Sequence, residues 1–221
     1  MSDRIHILTH KLLPAVILIL VTIGFTLIET TGQHHISNPE LNSTELLSQI
    51  PKLNEGDIVF RKGRSLVSTI VLMNDPGTNY SHVGLVCLIN GAPFIVHAVP
   101  GEPDENGDEL VKCDRPDEFL SPEKASHFAV CRMTSDTADY SRKAAKTALS
   151  FFKARIPFDK AFDIKTDNKL YCTELIWKAY LASGVNITNN QFHQLKLGFP
   201  ADSIILPGHI LNSEMLTIIY P

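Results

Sequence analysis

The longest apolar run of the chain, Leu12 to Ile28, carries no charge. A helix of that length reaches roughly 25 Å, close to the hydrocarbon thickness of a bilayer. Nothing charged gives it a solvent face, which argues against a buried core helix. Arg4 and Lys11 precede it, Glu29 follows it and the next basic residue is Lys52. That asymmetry orients the N-terminus to the cytoplasm and the remainder beyond the membrane. The expectation is an N-terminal membrane anchor or signal peptide over residues 1–32, with residues 12–28 in the membrane. Thr30 and Gly32 are small enough to flank a cleavage, but no alanine-rich cleavage site follows, which favours an uncleaved anchor. The protein is then membrane-anchored with its catalytic domain outside the cytoplasm, or secreted or periplasmic after cleavage. Residues 33–55 are polar, are broken by Pro39 and Pro51, and read as a tether with one short helix around Glu40 to Ile50.

From Gly56 the pattern is that of a folded domain, residues 56–221. "GDIVFR" alternates into a strand, and "SLVSTIVLMN" places apolar residues at helical spacing behind a possible Ser65 cap. "SHVGLVCLINGAPFIVHAV" holds two apolar, β-branched runs separated at Asn90-Gly91, the strongest hairpin signal in the chain. "PGEPDENGDE" reads as a solvated acidic loop, because its carboxylates lack the spacing of a calcium loop. "HFAVCRM" predicts a further strand, and a helix is expected from about Ala138 to Ala154, started by Thr134, Ser135 or Asp136 and stopped before Pro157. A last helix carries Cys172 and ends at Gly184, and the tail supplies a turn and a closing strand. Few helices and several hairpin-capable strands predict an α+β fold with an antiparallel sheet packed against helices.

Composition adds two limits. A net charge of −4 gives no basic footprint for nucleic acid. Four cysteines in an exported domain could form up to two disulfides; Cys113 and Cys131 flank a loop-rich stretch and could pair, whereas Cys87 reads as a small buried hydrophobe.

Cys172 is the candidate for chemistry. Cys172, Leu175, Ile176 and Ala179 recur at helical spacing, so the thiol lies on a buried stripe but in the first turn, where unpaired N–H groups favour negative charge and can form an oxyanion hole. A helix start and a neighbouring imidazolium are the devices that lower a thiol pKa. The competing reading is an inert core cysteine. Of the nine histidines, His82 and His97 alone sit inside the predicted hairpin. A two-residue turn at Asn90-Gly91 pairs Ile89 with Ala92 and sets His97 opposite Gly84, diagonal to His82 on the same face. A four-residue loop keeps that face and a three-residue loop reverses it. The triad is then Cys172 as nucleophile, His82 as base and His97 as the group that orients it. A zinc site from these three lacks a close-spaced ligand pair.

The blocks "GDIVFR", "YSHVGLV", "FIVHA", "FDKAFDIKTDNKLYCTELIWKAY" and "ILPGHIL" resemble the circularly permuted branch of the NlpC-type papain-like cysteine hydrolases, the YiiX-like amidase group, over about residues 54 to 221. The resemblance implies a permuted papain-like fold, Cys172 as nucleophile, His82 as base and His97 in the third polar position. It matches Tyr171 and Glu174 to residues flanking the nucleophile, with oxyanion or substrate-binding roles, and it implies no metal and no cofactor. Many members of this group carry glutamate at the third position, whereas the lecithin:retinol acyltransferase-like branch carries histidine. The expected function is a thiol-dependent amidase or peptidase acting through an acyl-enzyme on cell-wall peptides or small amino-acid amides. The alternatives are a lipid acyltransferase or phospholipase-like enzyme with the same triad, and a noncatalytic binding module.

Overall fold

The structure, a computed structural model, describes residues 48–194 and 203–221. The apolar run at residues 12–28 and most of the tether lie outside the described residues. Among the described residues no helix is long and apolar enough to cross a membrane.

The alternating stretch after Gly56 forms β1 (Ile58–Gly63), and "SLVSTIVLMN" forms α1 (Leu66–Asn74), capped by the Ser65 hydroxyl, which accepts the Ser68 N–H at 3.1 Å. The hairpin is β2 (His82–Ile89) and β3 (Ala92–His97), paired from Ile89↔Ala92 to Leu85↔Val96. Asn90 and Gly91 both have positive φ, 53° and 81°, which is the two-residue turn whose twist matches the strands. Then follow β4 (Lys112–Asp114), α2 (Pro116–Phe119), β5 (Ala125–Met133), α3 (Tyr140–Lys153), α4 (Cys172–Ser183), β6 (His193–Gln194), β7 (Ser203–Ile204), α5 (Pro207–Leu211) and β8 (Leu216–Tyr220). One six-stranded antiparallel sheet runs in the order β4-β3-β2-β1-β5-β8. The α+β architecture read from the sequence is present; β4, α2, α5 and the separate two-stranded pair β6–β7 are additions to it.

Strand alternation divides the core. One face of the sheet offers Ile58, Phe60, Val83, Leu85, Cys87 and Val96 to α3 and α4, which answer with Ala144, Ala145, Ala148, Leu175, Ile176 and Ala179. The alanines of α3 keep that helix close to the sheet. The opposite face gathers Val59, Val86, Ile95, Phe128 and Val130 beneath Phe119 and Leu120. Tyr180 on α4 donates its hydroxyl to the Gly56 carbonyl at 2.6 Å, tying that helix to the entry of β1. Gly56 has φ of +82°, and a Cβ there would lie 2.4 Å from that of Ser141, so the close approach of α3 needs glycine. The chain before β1 is already held: Leu53 is buried, and Arg132 reaches the Lys52 carbonyl while its guanidinium pairs with the buried Asp57.

All four cysteines are free, so the pairing of Cys113 with Cys131 that the sequence left open does not form. Cys113 is on β4 and Cys131 on β5, with β3, β2 and β1 between them. At about 4.8 Å per strand that separation is near 19 Å, far beyond the Cα spacing a disulfide spans, about 4.4–6.8 Å. Cys87 is the expected small core residue, its thiol 3.3 Å from the Ala145 carbonyl.

Candidate active site

The register places the two hairpin histidines together. His82 is the first residue of β2 and His97 the last of β3, and His82 Nε2 lies 3.0 Å from His97 Nδ1. Gly84, between them on the same face, leaves the room: a Cβ there would stand 2.4 Å from Ile95 Cγ2 and 3.2 Å from His97 Cβ. Phe119 packs against both imidazoles, its centroid 5.6 Å from that of His82 and 4.9 Å from that of His97.

The row continues to a residue that sequence reasoning did not reach. His97 Nε2 lies 3.1 Å from Asp114 Oδ2. On β4, Lys112 pairs with His97, so Asp114, two residues on, shares its face. A three-residue strand is too short to show a period, and this hid Asp114 behind an acidic loop. That loop is not merely solvated. Its Glu102 turns inward, 2.7 Å from the buried Arg61 and within 3.2 Å of both Lys112 and Lys124, and the two lysines also stand 3.6 and 3.7 Å from Asp114. Arg61 is beside His82 across the β1–β2 ladder and donates to the Phe119 carbonyl at 2.8 Å.

These charges set the protonation states. The His97 and lysine contacts outweigh burial and hold the Asp114 carboxyl down at about 2; Arg61 and Lys124 do the same for Glu102, also about 2. Burial, reinforced by Arg61, His97 and the lysines, pushes His82 well below the ordinary imidazole value. His97 is lowered by burial in spite of Asp114, which pulls it the other way. An ionised carboxylate only accepts, so His97 Nε2 carries the hydrogen toward Asp114 and its Nδ1 is the acceptor. His82 must then donate from Nε2, which leaves the His82 Nδ1 lone pair as the free base.

Cys172 opens α4, half-buried, with Tyr171 as the N-cap. Burial pushes its thiol up to about 11, against the N–H groups of Thr173 and Val83 and the charge of Arg61, all of which favour the thiolate. The sequence led us to expect a depressed thiol pKa; desolvation wins over the helix start here. The Val83 N–H ties the sulfur to the β2 residue next to His82. Val83 itself faces α4, whereas His82 faces Phe119, so the sulfur meets β2 at the residue after His82 while the two side chains leave the strand on opposite faces.

Tyr171 and Glu174 are both buried in the helix start. Glu174 accepts the Tyr171 N–H at 3.3 Å and pairs with Lys178 at 3.1 Å, with burial raising its carboxyl to about 7. The Tyr171 hydroxyl accepts the Ile205 N–H at 3.0 Å. Thr173 donates to the Ile205 carbonyl at 2.7 Å, so residue 205 holds the turn from both sides. Among the described residues no three His, Cys, Asp or Glu side chains converge as a metal ion requires.

The chain is 27% identical over 138 residues to the uncharacterized protein YiiX of Escherichia coli strain K12, and it spans 62% of that relative's length. A crystal structure of the metalloprotein yiiX from Escherichia coli O157:H7 superposes with a TM-score of 0.61 over 76% of this chain and 98% of that one, at 22% identity, which speaks to the fold alone. Residues 52–220 match the family described as permuted papain-like amidase enzyme, YaeF/YiiX, C92 family, and with nearly the whole described chain inside that match, this protein belongs to the permuted papain-like amidases.

Proposed function

We propose that this chain is a thiol-dependent amide hydrolase in which Cys172 is the nucleophile, His82 its base, and His97 and Asp114 the groups that fix the base in its working tautomer. The substrate class is a small peptide or amino-acid amide, with cell-wall peptides the leading candidates, and the domain works outside the cytoplasm on an anchor at residues 12–28. The observation that carries this reading is the row Asp114–His97–His82, with spacings of 3.1 and 3.0 Å. It leaves one basic imidazole nitrogen of His82 unclaimed, and the residue after His82 is the one whose N–H reaches the Cys172 sulfur.

With a raised thiol and a lowered imidazole, the resting pair is neutral, so the proton moves as the bond forms. Cys172 Sγ attacks the amide carbonyl while its proton passes to His82 Nδ1, and the positive charge that appears on His82 is shared through His97 with Asp114. The carbonyl oxygen gains its charge near the first-turn N–H of Cys172. His82 then gives the proton to the departing amine, leaving a thioester. Water, deprotonated by His82, adds to the thioester and releases acid and free thiol. Tyr171 and Glu174 have the task of holding the turn that carries the sulfur.

The test is intact-mass analysis of the full chain incubated with a panel of muropeptides and, in parallel, phospholipids. The expected result is amine release from a peptide with a transient acyl adduct on Cys172, absent in Cys172→Ala. Peptide turnover by Cys172→Ala at the wild-type rate would refute the assignment, and acylation by phospholipid alone would move the enzyme to lipid acyl transfer.

A further inference from the structure

Helix α1 is built inside out. Over Leu66–Asn74 its one buried side chain is Ser68, while Leu66, Ile70 and Met73 are 62%, 59% and 79% exposed and Val67 is exposed beside them. These are four of the seven exposed large hydrophobic residues in the described structure, all within one short helix. Such an apolar face on an otherwise well-buried domain marks a contact surface. Ser68 is the residue that seats the helix: its hydroxyl lies 3.0 Å from that of Ser65, and Gly63 has no Cβ so that this oxygen can fit.

What covers the face is indicated by the chain itself. We propose that α1 docks the domain onto the surface of an anionic lipid bilayer, an inference that rests on the anchoring proposed above. Three features converge on that occupant. The same chain carries a charge-free apolar run of bilayer length at residues 12–28, so a bilayer is the apolar phase present at high effective concentration. Lys62 and the exposed Arg64 immediately precede the helix, and α1 itself carries no charged side chain. Basic residues beside an exposed apolar helix face are what an anionic interface selects. Two acidic groups leave this in place: Asp75, next after the helix, is buried against the Gly208 N–H at 2.6 Å, and Glu123 is a carboxylate that Arg64 stabilises. Docking by α1, which joins β1 to the loop entering β2, brings the His82 end of the sheet toward the lipid surface.

The full chain has a single tryptophan, Trp177, so added tryptophans can be read by difference. Met73→Trp, Ile70→Trp and a control Phe152→Trp on α3 are reconstituted with vesicles of phosphatidylcholine and phosphatidylglycerol, with and without bromine on the acyl chains. Flotation of the vesicles reports the anchor separately from the docking. The proposal predicts loss of emission at positions 70 and 73 on bromination, none at position 152, and a smaller loss at 73 when Lys62 and Arg64 are both changed to Glu. A chain that floats but keeps its emission at 70 and 73 overturns docking while the anchor stands. A chain that does not float overturns both. Emission at 73 that is blue-shifted without lipid, or that changes with protein concentration and not with bromination, assigns the face to a segment of this chain or to a second copy and also overturns the proposal.

Discussion

Asp114 is the residue on which the protonation logic of the site turns. Because its carboxylate can only accept, it dictates the hydrogen positions on two imidazoles in series. An amide in its place can donate to His97 Nε2, reverse both tautomers and leave an N–H on the His82 nitrogen that should take the thiol proton. Asp114→Asn is therefore expected to lower kcat by about 10²–10⁴-fold, the range set by positioned acid–base groups. KM should change little and activity should partly recover at high pH, where the thiol ionises without a base. A loss of stability with an unchanged pH profile would reduce Asp114 to a structural role. Thiol labelling separates the cysteines at the same scale. Cys113 and Cys172 are both half-buried and both raised to about 11, while burial holds Cys131 at about 12 and Cys87 higher still. Iodoacetamide should therefore modify Cys172 and Cys113 ahead of the other two. On the proposed mechanism His82→Ala should slow Cys172 alone, because the proposed base has gone. Peptide mapping of the alkylated chain checks both statements, and equal slowing at Cys113 would point to a global effect.

At the scale of elements, the hairpin is what makes the site possible. Its glycine is the vulnerable point. In Gly84→Ala the new methyl meets Ile95 Cγ2 at 2.4 Å, and Ile95 is fully buried and β-branched, so it cannot swing aside. Overpacking of this kind costs about 1–3 kcal/mol, and the strain falls on the strand that carries His97, so activity should drop with stability. Adding Ile95→Ala removes the contacted methyl and should recover activity more than stability; denaturant titration beside turnover tests this. The hairpin and its turn were legible in the sequence because alternation and Asn-Gly are local signals, and the same holds for the Ser65 cap of α1 and the Gly184 end of α4. The pairing of His82 with His97 followed from that register alone. Asp114, Arg61 and Glu102 were not legible, since they arrive from β4, β1 and a loop and are joined only by sheet order. The state of the thiol was also misread. A helix start is visible in sequence, whereas the burial that overrides it is a property of the packed fold.

For the whole molecule, the buried titratable groups make opposing demands that pH can expose. His82 and His97 are held below the ordinary imidazole value, so below about pH 6.5 the unfolded chain binds protons that the native state refuses, and stability falls as pH falls. Glu174 runs the other way: with its carboxyl raised to about 7, the native state keeps a proton that the unfolded chain releases above about pH 4.5, so its contribution is lost as pH rises through 7. His209 and Asp75 form a smaller pair of the same opposite signs, one lowered and one raised by burial. Between about pH 5 and 6.5 the two lowered histidines therefore pull against the raised glutamate. Glu174→Gln removes the opposing group while an amide oxygen can still accept the Tyr171 N–H. The variant should lose stability more steeply with acid than the wild type, while gaining relative to it above pH 7. Unfolding of the detergent-solubilised full chain followed across pH 5 to 8 measures both slopes. Equal slopes in the two proteins would mean that Glu174 is ionised in the native state and that Lys178, 3.1 Å away, outweighs the cost of burying it.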